Sequence, residues 1–161
     1  MSLGLLPLSL CLAVAAAPAR SDVEAAQLLH DWDVRRAQAW SSGDAGALGD
    51  LYTPRSPTGR ADRSMLRSWS GRGLHVEGMR MQLIAVRVRT WSDQRVVLVV
   101  TDRLSAAVAV GPDVRVPLPR DSASTRIVTL RRVAGEWRVA SVLDQARAVR
   151  TTSWTVRSRN S

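Results

Sequence analysis

Few side chains in this 161-residue sequence could do chemistry, and the most telling are Asp102 and Arg103. They interrupt an apolar run, with Val96 to Val100 before them and Leu104 after, so one of the two should point into whatever the run covers. Valines occupy both parities of that run, and the pattern leaves open which of the pair turns inward. A carboxylate facing an apolar hollow has a raised pKa and could abstract a proton next to a carbonyl. The plainer role, and the expected one, is an ion pair holding adjacent strands, with Arg87 or Arg126 as partner. His75 would serve as a general base if it faced a sheltered pocket, but a histidine at a strand start is more often an edge residue. His30 belongs to the run His30-Asp31-Trp32-Asp33, whose N and O groups look like metal ligands. Residues one apart on a helix point to different faces, so the run reads as a solvated helix face and no metal site is expected.

Other constellations are missing. The sequence has no Gly-x-Ser-x-Gly elbow, no Gly-rich phosphate loop before a lysine, no His-Glu-x-x-His helix and no cysteine pair. Its one cysteine, Cys11, excludes a disulfide framework. Asp102 and His75 therefore stand as weak catalytic candidates without a full set around them, and no cofactor is expected.

The elements that would position these groups are easier to read. Residues 1–19 carry no charge and run apolar from Leu3 to Ala17, ending in Ala17-Pro18-Ala19 before Arg20. This is the pattern of an export signal cleaved after Ala19, although it has no basic residue at its start. An uncleaved anchor is the alternative, but spanning needs about 20 apolar residues and Pro7 interrupts the run. Residues 20–145 would form one domain, exported and extracytoplasmic or bound to the cell envelope, and 146–161 an Arg/Ser/Thr-rich tail in which Trp154 and Val156 could dock. A hydrophobic content of 45% with 23% charged residues excludes a disordered chain.

Ser21-x-x-Glu24 is a capping box opening a helix whose face carries Ala25, Leu29, Trp32, Arg36 and Trp40. Gly43 ends it, and Asp44 caps a second helix reaching Leu51-Tyr52. A Ser/Pro/Gly loop from Thr53 to Arg60 precedes a third helix over about Ala61 to Ser70, with Met65, Leu66 and Trp69 on one side. From Leu74 the period becomes two. The apolar parity flips at Leu83-Ile84, which reads as a β-bulge. Ser92-Asp93-Gln94 is a turn, and Val96 to Val110 is a strand covered on both faces over its first half. Gly111 to Ser122 reads as a connection and Thr125 to Val133 as a strand. Ala134-Gly135-Glu136 is a turn, and Trp137 to Leu143 is a strand with Trp137, Val139 and Leu143 on one face. Helices followed by long antiparallel strands make an α+β fold.

The step Trp40-Ser41-Ser42-Gly43-Asp44, the short helix with Leu48 and Leu51-Tyr52, the bulged strands and the final hairpin Gly135-Glu136-Trp137-Arg138-Val139 resemble the nuclear transport factor 2-like (polyketide cyclase-like) superfamily. The resemblance covers roughly residues 21–145. It implies a cone-shaped, curved antiparallel sheet packed with three N-terminal helices around a hydrophobic pocket. Such proteins include isomerases, dehydratases, cyclase-like enzymes and pocketed proteins with no chemistry. The pocket would be lined by Trp40, Tyr52, Trp69, Met81 and Trp137, which are also what a filled core needs. Cones of this type often pair through the open sheet face, so a homodimer is one expected state.

The formal charge is +9, and every basic residue is an arginine. Arg80, Arg87, Arg89 and Arg131 fall on strands and would lie on the outer face, where they suit an anionic surface. GC-rich coding bias explains the same arginines without any function. No groove-entering helix or sheet of stacking aromatics is present, so no nucleic acid is expected. The combined expectation is an exported, non-catalytic domain binding a partner protein or small apolar ligand at the cell envelope. The alternatives are an isomerase, dehydratase or cyclase-type enzyme with Asp102 or His75 as base, and a basic adaptor on anionic polymer or lipid.

Overall fold

The computed structural model describes residues 20–145, so the expected leader and tail, with Trp154 and Val156, lie outside the described residues. Three helices, α1 (Arg20–Ser42), α2 (Ala45–Asp50) and α3 (Pro57–Ser70), precede five strands. These are β1 (His75–Trp91), β2 (Arg95–Gly111), β3 (Val114–Pro117), β4 (Ser124–Val133) and β5 (Glu136–Asp144). The sheet is antiparallel with order β1-β2-β4-β5, and β3 pairs with the far half of β2. The α+β fold is thus as expected: a curved sheet packed with three N-terminal helices. Among the described residues no helix is long and apolar enough to cross a membrane.

Local chemistry explains most boundaries and corrects several. Helix α1 already runs from Arg20, so Ser21 sits inside its first turn and not at a cap. Gly43, at φ +71°, supplies the left-handed turn that ends α1. Asp44 Oδ1 then accepts the Gly46 and Ala47 N–H groups, each at 2.9 Å, to start α2. Helix α3 begins earlier than its apolar spacing suggests. Ser56 caps it by accepting the Gly59 N–H at 3.1 Å, and Pro57 takes the first turn, where its missing N–H is no loss. The connection after β2 contains β3.

Val96, Leu98 and Val100 are buried against the helices, each at most 2% exposed. Val97 and Val99 on the opposite parity are only half-buried, so this strand is covered fully on one face. Register shifts occur where the parity flips: Leu83 opposes Asp102 while Ala85 opposes Thr101, leaving Ile84 as the extra residue and half exposed. A similar shift between β4 and β5 leaves Ala140 extra, which turns Val142 inward and Leu143 out to solvent. The β4–β5 turn uses Ala134 and Gly135 at φ +51° and +84°, the left-handed pair that a two-residue hairpin turn requires.

The core joins Leu29 and Trp40 of α1, Leu48 of α2 and Leu66 of α3 to Val96, Leu98, Leu130 and Val139 of the sheet. Each such leucine or valine contributes about 1.5–3 kcal/mol by leaving water. Both outer strands are tied down. The Val139 N–H donates to the Leu51 carbonyl at 2.9 Å, and the Thr53 N–H donates to the Val139 carbonyl at 3.0 Å, laying residues 51–53 along β5. On β1 the Asp22 carboxylate accepts the Val88 N–H at 2.9 Å.

Candidate functional site

A cavity of about 300 Å³ opens between α1, α3 and the inner face of the sheet. Helix α1 contributes Leu29, Trp32, Asp33 and Arg36, the 3-4-7 stripe that one face of a helix presents. The strands add Met81 and Leu83 from β1, Val100 and Asp102 from β2, Arg126 and Val128 from β4, and Val139 and Val142 from β5. Ala61 and Met65 of α3 lie at the rim, with Met65 56% exposed. The walls are mostly apolar, and their charges fall into two groups.

The first group centres on Asp62, buried at 8% exposure. Arg36 donates to it twice, Nε to Oδ2 and Nη2 to Oδ1, both at 2.7 Å. The Tyr52 hydroxyl donates to Oδ2 at 2.7 Å and the Trp40 Nε1 to Oδ1 at 3.2 Å. The guanidinium of Arg36 also lies within 6.0 Å of the Trp32 and Trp40 ring centres. Burial opposes the charge on Arg36, but the hydrogen bonds and charge of Asp62 outweigh it and hold the guanidinium protonated. Burial and the neighbouring Asp62 push the Tyr52 phenol upward. Four donors on one carboxylate leave it saturated, which suits a structural anchor.

The second group is different. Asp102 is 8% exposed and paired with Nη2 of Arg126. Arg126 Nε is buried and has no hydrogen-bond partner among the described residues. Asp33 makes no hydrogen bond or ion pair among the described residues. Burial raises its pKa to about 6; Arg36 opposes the shift, the charge of Asp102 adds to it, and Arg126 and His30 oppose it further. An uncommitted carboxyl that titrates near neutrality beside an apolar hollow is equipped to accept and return a proton.

Comparison with solved structures places this architecture. The chain is similar to the intermembrane-space region of the chloroplast protein ARC6, at 14% identity and TM-score 0.55, covering 80% of this chain and 100% of that one. It is also similar to Aln2 from a Streptomyces species, at 17% identity and TM-score 0.51, covering 84% of this chain and 99% of that one. A structure described as a putative dehydratase of the NTF2-like family, from Streptomyces avermitilis, matches at 15% identity and TM-score 0.46, covering 78% of this chain and 96% of that one. No family model and no curated protein matches the sequence. The chain has the nuclear transport factor 2-like fold.

Within this nuclear transport factor 2-like fold the residues singled out from sequence separate. Tyr52, Met81 and Asp102 are brought to the cavity wall. Trp40 and Trp69 stand off that wall and pack edge to face at 6.0 Å, while Trp137 meets Trp91 at 6.3 Å at the far end of the sheet. His75 faces away, with Nε2 3.2 Å from Glu77 Oε1. The strand ion pair expected at Asp102 is made with Arg126, and Arg103 points outward, its Nε donating to Gln82 at 2.8 Å. Arg80, Arg87, Arg89 and Arg131 are all exposed. Asp33 is the main correction, because it is half-buried on the cavity wall and not on a solvated helix face. It lies four residues after Leu29 and three before Arg36, a spacing that carried the signal. Asp62 was missed in the same way, four residues before Leu66. Among the described residues no group of His, Cys, Asp and Glu gathers as a metal site.

Proposed function

We propose that the chain takes a small, largely apolar molecule bearing a carbonyl into its cavity and performs acid–base chemistry on it, with Asp33 as the base. The observation that carries this reading is Asp33 itself, unpaired on an apolar cavity wall with a pKa of about 6. Asp33 removes a proton from the carbon next to the carbonyl, and the C–H electrons pass to the carbonyl oxygen. The Arg126 guanidinium, which lines the same cavity, favours the resulting enolate. Returning the proton at another carbon completes an isomerisation. Expelling a group from the β-carbon completes an elimination. Asp102 acts by keeping Arg126 in place.

The test is exchange of α-protons of small enolisable ketones in deuterated buffer, followed by NMR. Exchange should rise through pH 6 as Asp33 ionises, and Asp33→Asn should lower it about 10²–10⁴-fold. Exchange unaffected by that substitution would remove the proposal. The second reading is a binding protein without chemistry. It is favoured by the ion pair that occupies Asp102, which leaves Asp33 without a free partner acid. Under that reading apolar ligands bind the wild type and the Asp33→Asn variant alike, with no exchange in either.

The apolar run of residues 1–19 supports export of the domain as part of this proposal. N-terminal sequencing of the protein recovered outside the cytoplasm should begin at Arg20. Recovery solely from the cytoplasm would count against export.

A further inference from the structure

The outer face of the sheet carries a feature that the cavity does not use. Arg95 of β2 opposes Arg131 of β4, and Arg131 opposes Arg138 of β5. Their neighbours Val96, Leu130 and Val139 are buried, so alternation places all three arginines outward in one row. With strands about 4.8 Å apart, the row is about 10 Å wide. Like charges directly opposite one another oppose strand pairing, so their alignment calls for an external counter-charge.

None of the three is in an ion pair among the described residues, and Arg138 Nε is buried without a hydrogen-bond partner. The carboxylates on outward strand positions are engaged elsewhere, Glu77 by Arg115 at 3.0 Å and Glu136 by Arg35 at 3.5 Å. Asp93, in the adjacent turn, makes no ion pair with the row. Arg87 and Arg89 extend the basic face on β1.

At the same end the opposite, helix-facing side of the sheet is closed by aromatic groups. Trp91 is 39% exposed and packs on Trp137, over which Arg132 lies at 5.6 Å. The two hairpin turns are fastened there, with the Arg132 N–H donating to the Gln94 carbonyl at 3.1 Å. A row of guanidinium groups without ion pairs on a broad sheet face matches a membrane surface, where guanidinium meets lipid phosphate. A linear polyanion would be served better by a groove, and this face is a sheet surface.

We propose that this outer face, with Arg95, Arg131 and Arg138 in its row, is a docking surface for a membrane containing anionic lipid. Arg80, at the other end of β1 opposite Ala106, lies outside the row.

The test is co-sedimentation of the full chain with vesicles of phosphatidylcholine alone or with 30% phosphatidylglycerol. Binding to the anionic vesicles should be at least tenfold tighter and fall about tenfold or more between low salt and 0.5 M salt. The triple variant R95E/R131E/R138E should lose that preference while keeping its circular-dichroism spectrum and thermal midpoint. Should the charge reversals disturb folding, R95Q/R131Q takes their place and should weaken binding several-fold. Equal binding to the two vesicle types would overturn the proposal, as would unchanged binding by the folded variants. So would tenfold tighter binding to polyphosphate or DNA than to the anionic vesicles, which would reassign the surface to a polymer.

Discussion

The cavity is bordered by two carboxylates that the sequence treats alike and the structure treats in opposite ways. Asp62 and Asp33 are each one helical repeat from a buried leucine, yet Asp62 accepts four hydrogen bonds and Asp33 accepts none among the described residues. A buried charge is tolerable when its lone pairs are taken up. Left alone in the same setting, the group keeps its proton to a higher pH. The difference teaches where stability ends and reactivity begins within one wall.

That comparison breaks most sharply at Asp62. Asp62→Ala leaves Arg36, Tyr52 and Trp40 without their shared acceptor and should destabilise the fold by about 3–5 kcal/mol, read from urea unfolding. A loss under 1 kcal/mol would mean that the four bonds do not act as an anchor.

Asp33→Asn should do the reverse. The native pKa of about 6 lies above the ordinary 3.8, so the folded state binds more protons than the unfolded state between those values. Wild-type stability then falls as pH rises from about 4 to about 6 and levels off above. The asparagine has no proton to lose, so the variant should match wild type near pH 4. Above pH 6 it should be more stable by about 1–3 kcal/mol. Parallel stability curves for the two proteins across that window would show that Asp33 is solvated after all.

The smallest effect sharpens the contrast from within the saturated group. Tyr52→Phe removes one of four donors and should cost about 1 kcal/mol in thermal unfolding, with the cavity retained. The close packing around the ring makes Gly59→Ala a useful companion, since a Cβ there would come within 2.5 Å of the Tyr52 ring.

Much of the framework was legible because its signals are local. The left-handed glycine after α1, the Asp44 cap, the parity flip at Leu83-Ile84 and the tight turn at Ala134-Gly135 each follow from a few adjacent residues. The start of α3 was misjudged because Pro57 and Ser56 resemble loop residues until the cap and first turn are seen together. The site was less legible, for a physical reason. Asp33 sits among His30, Asp31 and Arg35, which are exposed, and only the helical period separates it from them. Whether a carboxylate on the inward stripe is paired depends on α3 and β4, far away in sequence. Asp102 posed the parallel problem on a strand, where valines on both parities concealed its direction. Burial of the alternate residues settled it.

The strapping of the sheet's two margins has a consequence for how this protein behaves in company. Residues 51–53 occupy hydrogen-bonding positions along β5, and Asp22 blocks an N–H on β1. A neighbouring molecule therefore finds interrupted rails on which to add a strand of its own. Runaway stacking into fibrils is disfavoured at both flanks, which leaves the broad outer surface as the place where contacts of a controlled kind are made.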